Sequence, residues 1–247
     1  MRPRVEALDV SAMDWTPLGP AGLYSKLLSR DPETGARTAL QRLCPADNYE
    51  PPKVAHYHHT YEEILGVEGE FSFDSRLWVT PGTYVFHPPR TVHGFKSAIR
   101  TESLFLSRVG QDLDFNFVPE PLKTDLYTAE GADPARIATA LRNPIETLGW
   151  APATFLGGAA ESCLLSIDPN SGEGTVMIRL PEVWESTVTR LANYLEMFVV
   201  DGGLAIDGGE VGPRHSYFFY PPHELISALT TRAETLLYVN FGGPIGI

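Results

Sequence analysis

His56 and His58 are separated by a single residue, Glu62 and Glu63 follow four and five positions on, and Gly69 closes the segment. A further histidine, His93, comes later, after Gly82 and Pro88. In an extended strand alternate side chains share a face, so His56 and His58 point the same way. Two imidazoles on one face form half of a metal site. A carboxylate arriving after a turn can supply a third ligand, and a histidine from a distant strand can complete the set. Three neutral nitrogens and one anionic oxygen suit a first-row divalent metal and leave one or two positions open for water, substrate or oxygen. Either Glu62 or Glu63 could be the carboxylate. His59 should face away from His58, and His87 reads as a hydrogen-bonded structural histidine near the site.

The elements that would position these residues occur twice. The run from Trp15 has a counterpart from Trp150, and the turn Asp31-Pro32-Glu33-Thr34-Gly35 matches Asp168-Pro169-Asn170-Ser171-Gly172. Arg42-Leu43 matches Arg179-Leu180, and the segment from Glu62 matches the one from Leu195. Tyr84 to Pro89 matches Tyr217 to Pro222, and Arg100 to Leu104 matches Arg232 to Leu236. A period of roughly 135 residues is the size of a domain rather than a solenoid repeat. Each copy consists of short apolar or alternating runs bounded by turn residues, which predicts an all-β sandwich or barrel. We expect a first barrel over 1–118, a linker over 119–149 and a second barrel over 150–247. Asp133-Pro134 as a cap, Ile137 and Leu141 on one face, and Asn143-Pro144 as a stop predict a short linker helix.

The 247 residues include 22 glycines and 21 prolines, as many short strands require. The net charge of −12 argues against a polyanionic partner such as nucleic acid. Cys44 and Cys163 are far apart and sit in apolar runs, which predicts two buried thiols rather than a disulfide or zinc knuckle. The N-terminal run lacks an apolar core of signal-peptide length, and no stretch approaches the roughly 20 apolar residues of a membrane span. The expectation is a cytoplasmic protein without a membrane partner.

The pattern resembles the two motifs of the cupins, G(X)5HXH(X)3-4E(X)6G and G(X)5PXG(X)2H(X)3N. His56, His58, Glu62 and Gly69 fit the first, and Gly82, Pro88 and His93 fit the second. The resemblance implies two tandem double-stranded β-helix (jelly-roll) barrels. It also implies a metal held by His56, His58, His93 and one of Glu62 or Glu63, with the motif spacing favouring Glu62. Glu50, Arg90 and Ser97 stand where the motifs have glycine, glycine and asparagine. In the second copy Thr189, Leu191, Leu195 and Ile226 take the four ligand positions, so one metal per chain is expected.

Resemblance to three-histidine, one-glutamate cupins implies an iron(II) dioxygenase. Zinc, nickel or manganese in the same ligands would instead support a lyase, isomerase or cyclase, or a metal-binding sensor. The aromatic residues of the first copy suggest a pocket for a small apolar or aromatic molecule with a chelating oxygen. Tyr84, Phe86, Phe95 and Arg90 are the candidate pocket residues. Arg42, matched by Arg179 in the copy without ligands, reads as structural. A monomer and a homodimer both fit.

Overall fold

The computed structural model describes residues 1–119, 126–129 and 136–244. Nearly all of its regular structure is β, and the chain divides into two compact units, one of Asp14–Pro144 and one of Met1–Met13 with Ile145–Ile247.

The first unit carries a seven-stranded antiparallel sheet. Its order is Thr139–Leu141, Tyr84–His87, Glu62–Glu68, Ser103–Val109, Arg37–Leu43, Leu23–Arg30 and Thr16–Pro17. A three-stranded sheet of Phe71–Ser72, Trp78–Val79 and Ala98–Ile99 faces it. Alternation along the strands sends Leu43, Ile64, Val85 and Phe105 inward against Phe71 and Val79, and these residues form one apolar cluster between the two sheets. The hairpin into Arg37–Leu43 is set by Asp31. Its carboxylate accepts the Glu33 N–H at 2.9 Å, and its carbonyl accepts the Gly35 N–H at 3.0 Å. Gly35 takes φ +76°, which a glycine reaches without steric cost.

The second unit repeats this sheet strand for strand: Val5–Asp9, Ser216–Tyr220, Leu195–Asp201, Thr235–Phe241, Gly174–Leu180, Gly158–Ile167 and Ala151–Phe155. Asp168 and Gly172 rebuild the same hairpin turn, with Gly172 N–H to Asp168 carbonyl at 2.9 Å and the Asn170 N–H to the Asp168 carboxylate at 2.7 Å.

Two expectations change. The strand at the edge of each sheet comes from outside the repeat proper. Val5–Asp9 pairs with Ser216–Tyr220, and Thr139–Leu141 pairs with Tyr84–His87. The units are therefore not bounded at 118 and 150. The linker is also not a helix over Ile137 to Leu141. Thr139–Leu141 is extended, and the helix is the short Pro144–Leu148 turn that follows. A proline in the first turn starts a helix as readily as it stops one, and Ile137 is solvent-exposed rather than packed. Asp133-Pro134 lies outside the described residues.

Candidate metal centre

His56 and His93 face each other across a backbone bridge. The His56 N–H donates to the His93 carbonyl at 3.0 Å, and the His93 N–H returns the bond at 2.9 Å. His58 lies two residues on, and its carbonyl accepts the Arg90 N–H at 2.7 Å. Arg90, where the motif has glycine, adopts the left-handed conformation that glycine favours, with φ +67°. Gly94 is needed for another reason. A Cβ there would lie 2.5 Å from His56 Cε1, so only glycine leaves room for the imidazole.

All three histidines are buried, with ring centroids 4.5 to 5.2 Å apart. Each is oriented by a backbone carbonyl. His56 Nδ1 meets the Val54 carbonyl at 3.1 Å, His93 Nδ1 meets the Thr91 carbonyl at 2.9 Å, and His58 Nδ1 meets the Asp114 carbonyl. A carbonyl accepts only, so Nδ1 carries the proton in each ring and Nε2 keeps its lone pair. The three rings offer ligand atoms within 4.8 Å of one another. Burial, foremost, lowers the pKa of His56 and pushes that of His93 down to about 3, so both are neutral donors at neutral pH. His59 points away, as expected. Its backbone and ring nitrogens bind the Asp114 carboxylate, which Asn116 also holds at 2.7 Å. That clamp fixes the peptide whose carbonyl orients His58.

The two glutamates are separated by strand parity. Glu62 lies opposite His87 and Glu63 opposite Phe86 in the sheet. Glu62 Oε2 sits 3.5 Å from His93 Nε2 and 3.8 Å from His87 Nδ1 and has no hydrogen-bond partner among the described residues. Burial raises its pKa, but the His87 ring beside it, foremost among the lowering contacts, more than offsets this and brings it down to about 2. Glu63, on the opposite face, accepts from Tyr84 Oη at 2.6 Å, Arg136 at 2.7 Å and Arg108 at 3.1 Å. The second unit rebuilds this buried cluster with Glu196, Tyr217 and Arg2, with Arg2 2.7 Å from Glu196. His87 is buried without a hydrogen-bond partner for either ring nitrogen among the described residues, contrary to the expected hydrogen-bonded structural role.

A cavity of about 540 Å³ opens onto His56, His58, Glu62 and His93. Its other walls include Leu43, Tyr49, Phe71, Phe73, Phe105 and Phe115, with Arg37, Gln41, Ser72, Ser97 and Ser107 among the polar members. None of Tyr84, Phe86, Phe95 and Arg90 lines it. Tyr84 and Phe86 alternate with Val85 and His87 and so face the Glu63 side, where Arg136 stacks 4.0 Å over Phe86. Phe95 packs with Ala55 and Val92 in a separate apolar cluster. Arg42 also lies outside the cavity and pairs with Glu102 at 2.9 Å. Gln41, Arg37 and Ser107 escaped sequence reasoning. Their only signal was the repeat, which sets Ile178, Gly174 and Val239 in the same register positions.

In the second unit Thr189 pairs with Ile226 where His56 meets His93. Leu191, Leu195 and Ile226 join Ile178 and Val239 in one buried apolar cluster. The ligand positions there are core.

Residues 4–110 match the family described as the ChrR cupin-like domain. No curated protein sequence matches the chain. Among solved structures it is similar to a Nostoc punctiforme PCC 73102 protein described as a "putative dioxygenase", at 16% identity and a TM-score of 0.71 over 97% of this chain and 82% of that one. It is also similar to salicylate 1,2-dioxygenase from Pseudaminobacter salicylatoxidans, at 17% identity and a TM-score of 0.56 over 84% and 71% of the two chains. A single-substitution variant of that enzyme in complex with gentisate aligns at 16% identity and a TM-score of 0.58 over 94% and 77%. With the histidine pair and the distant histidine of the first unit, residues 4–110 are thus a cupin-like domain, and the chain shares its fold with these structures.

Proposed function

We propose that the chain is a bicupin whose first unit binds one divalent transition metal, iron(II) foremost, and that it is a dioxygenase acting on a small aromatic compound with chelating oxygens. The observation that carries this reading is the set of fixed donors. Three Nδ1 contacts to carbonyls leave three Nε2 lone pairs free, and an ionised Glu62 oxygen without a partner lies beside them. A buried carboxylate and neutral imidazoles held this way fit a first-row divalent ion and would otherwise leave polar atoms unsatisfied. Such an ion supplies Lewis acidity toward substrate oxygens and one-electron chemistry with dioxygen.

The protein's own part is to bind, orient and keep water out. Val54, Thr91 and Asp114 carbonyls fix the imidazoles, while Phe71, Phe73 and Phe105 provide flat apolar walls for a ring. Three neutral ligands and one carboxylate leave a net charge near +1 with a divalent ion, which favours an anionic substrate. The solved neighbours named as dioxygenases, one of them holding gentisate, support the same chemistry. An oxygen electrode and a panel of aromatic hydroxy acids test the proposal. Uptake is expected only with iron(II) restored and is expected to vanish in His93→Ala. Full turnover of an identified substrate without oxygen would overturn it.

A further inference from the structure

We infer that Gln41 anchors the end of the substrate remote from the metal, with Ser107 partway towards it, and that the substrate is a small ring compound bearing a chelating oxygen pair at one end and a neutral hydroxyl at the other. The inference rests on the metal-site reading above and narrows its substrate class.

The two copies supply the comparison. Gln41 faces Phe105 across the sheet, as Ile178 faces Leu237, and Ser107 faces Ala39 as Val239 faces Val176. In the second unit these positions are filled by apolar core residues. In the first unit a carboxamide and a hydroxyl replace two aliphatic side chains and line the cavity that holds the histidines. Packing alone does not call for that exchange. Gln41 Oε1 is buried and has no hydrogen-bond partner among the described residues, a state that is costly unless something in the cavity supplies a donor.

Position then says which end of a ligand it meets. Glu62 lies opposite Val109, and Val109 opposite Arg37, so Gln41 is two strands away and four residues further along. At about 4.8 Å per strand and about 3.4 Å per residue, the two backbones are roughly 17 Å apart along the sheet. The carboxamide therefore meets the end of the ligand opposite the metal, with Phe71 and Phe73 beside the ring, while Ser107, opposite Ile64, is one strand and two residues from Glu62, roughly 8 Å by the same spacing, and stands partway along it. Among the described residues no cation stands at that end to take a second carboxylate. Arg37, the one arginine of the lining, is level with Glu62 and four residues from Gln41, and Asp112 at 3.0 Å and the Gly35 carbonyl at 3.3 Å already hold its guanidinium. A neutral hydroxyl, donating to Gln41 and accepting from Ser107, fits what is left.

The test titrates cobalt(II)-loaded protein with 2-hydroxybenzoate and 2,5-dihydroxybenzoate, following the cobalt d–d bands. Both compounds offer the metal the same carboxylate and phenol oxygens, and only the second has a hydroxyl on the far side of the ring. We expect the second to bind about threefold to tenfold tighter to the unmodified protein. In the pair Gln41→Ile with Ser107→Val, which copies the second unit, that advantage should disappear. Cobalt should stay at one per chain, and 2-hydroxybenzoate affinity should hold within about twofold. Gln41→Met with Ser107→Ala is the milder pair if the first fails to fold. Equal affinities in the unmodified protein, or an advantage that survives both pairs, overturns the anchor. Failure to take up cobalt or to bind either compound overturns the metal-site reading instead, and the anchor with it.

Discussion

His56, His58 and His93 each commit Nδ1 to a carbonyl of the main chain, so the ligand atoms are set by backbone rather than by other side chains. Losing any one ring removes a donor without touching that scaffold. His56→Ala, His58→Ala and His93→Ala should each lose most of the metal by elemental analysis while their circular dichroism stays unchanged. The neighbouring carboxylates should separate cleanly. Glu62→Ala is expected to lower metal affinity by at least about tenfold with little loss of stability. Glu63→Ala should keep the metal but remove the buried carboxylate that Arg108 and Arg136 share, at a cost of about 3–5 kcal/mol in urea unfolding. The opposite pattern would mean that strand parity does not decide which glutamate faces the ion. Gly94→Ala makes a third case. Its new methyl would push on His56, so a fall in metal affinity of about tenfold or more is expected in an otherwise folded protein.

At the scale of the element, each seven-stranded sheet is closed at one edge by a strand carrying an arginine just before it. Arg136 precedes Thr139–Leu141 and reaches Glu63 and Tyr84, and Arg2 precedes Val5–Asp9 and reaches Glu196 and Tyr217. Arg2→Met should therefore speed hydrogen exchange in Ser216–Tyr220, and Arg136→Met should do so in Tyr84–His87; no change in either would show that the edge strands hold without their arginines. Neither strand was legible in the sequence. Thr139–Leu141 is short, and Ile137 and Leu141, four residues apart, fit a helix face as well as an extended run. What could be read was whatever has a strict period or spacing: the HxH pair, the glycine after it, and the turns at Asp31 and Asp168. Gln41 and Ser107 were not legible because a lone polar residue in a strand looks like a solvent-facing one. Only the neighbouring strands show that both face the cavity.

For the whole molecule, the second unit has apolar packing at the positions where the first has its histidines and Glu62. Leu191, Leu195 and Ile226 are core there, and His215 and His223 lie apart from those positions. Native mass spectrometry should find one metal ion per chain, and two would show that the second unit holds donors of another kind. The edge strand of that unit has a further consequence, which belongs to synthesis. Arg2 is made 215 residues before its partner Tyr217. At about 5–20 residues per second on the ribosome, its segment waits roughly 10–40 s before the sheet it completes exists. Whatever captures that segment in the interval, whether a chaperone or another chain, acts on a unit whose remaining strands are made later.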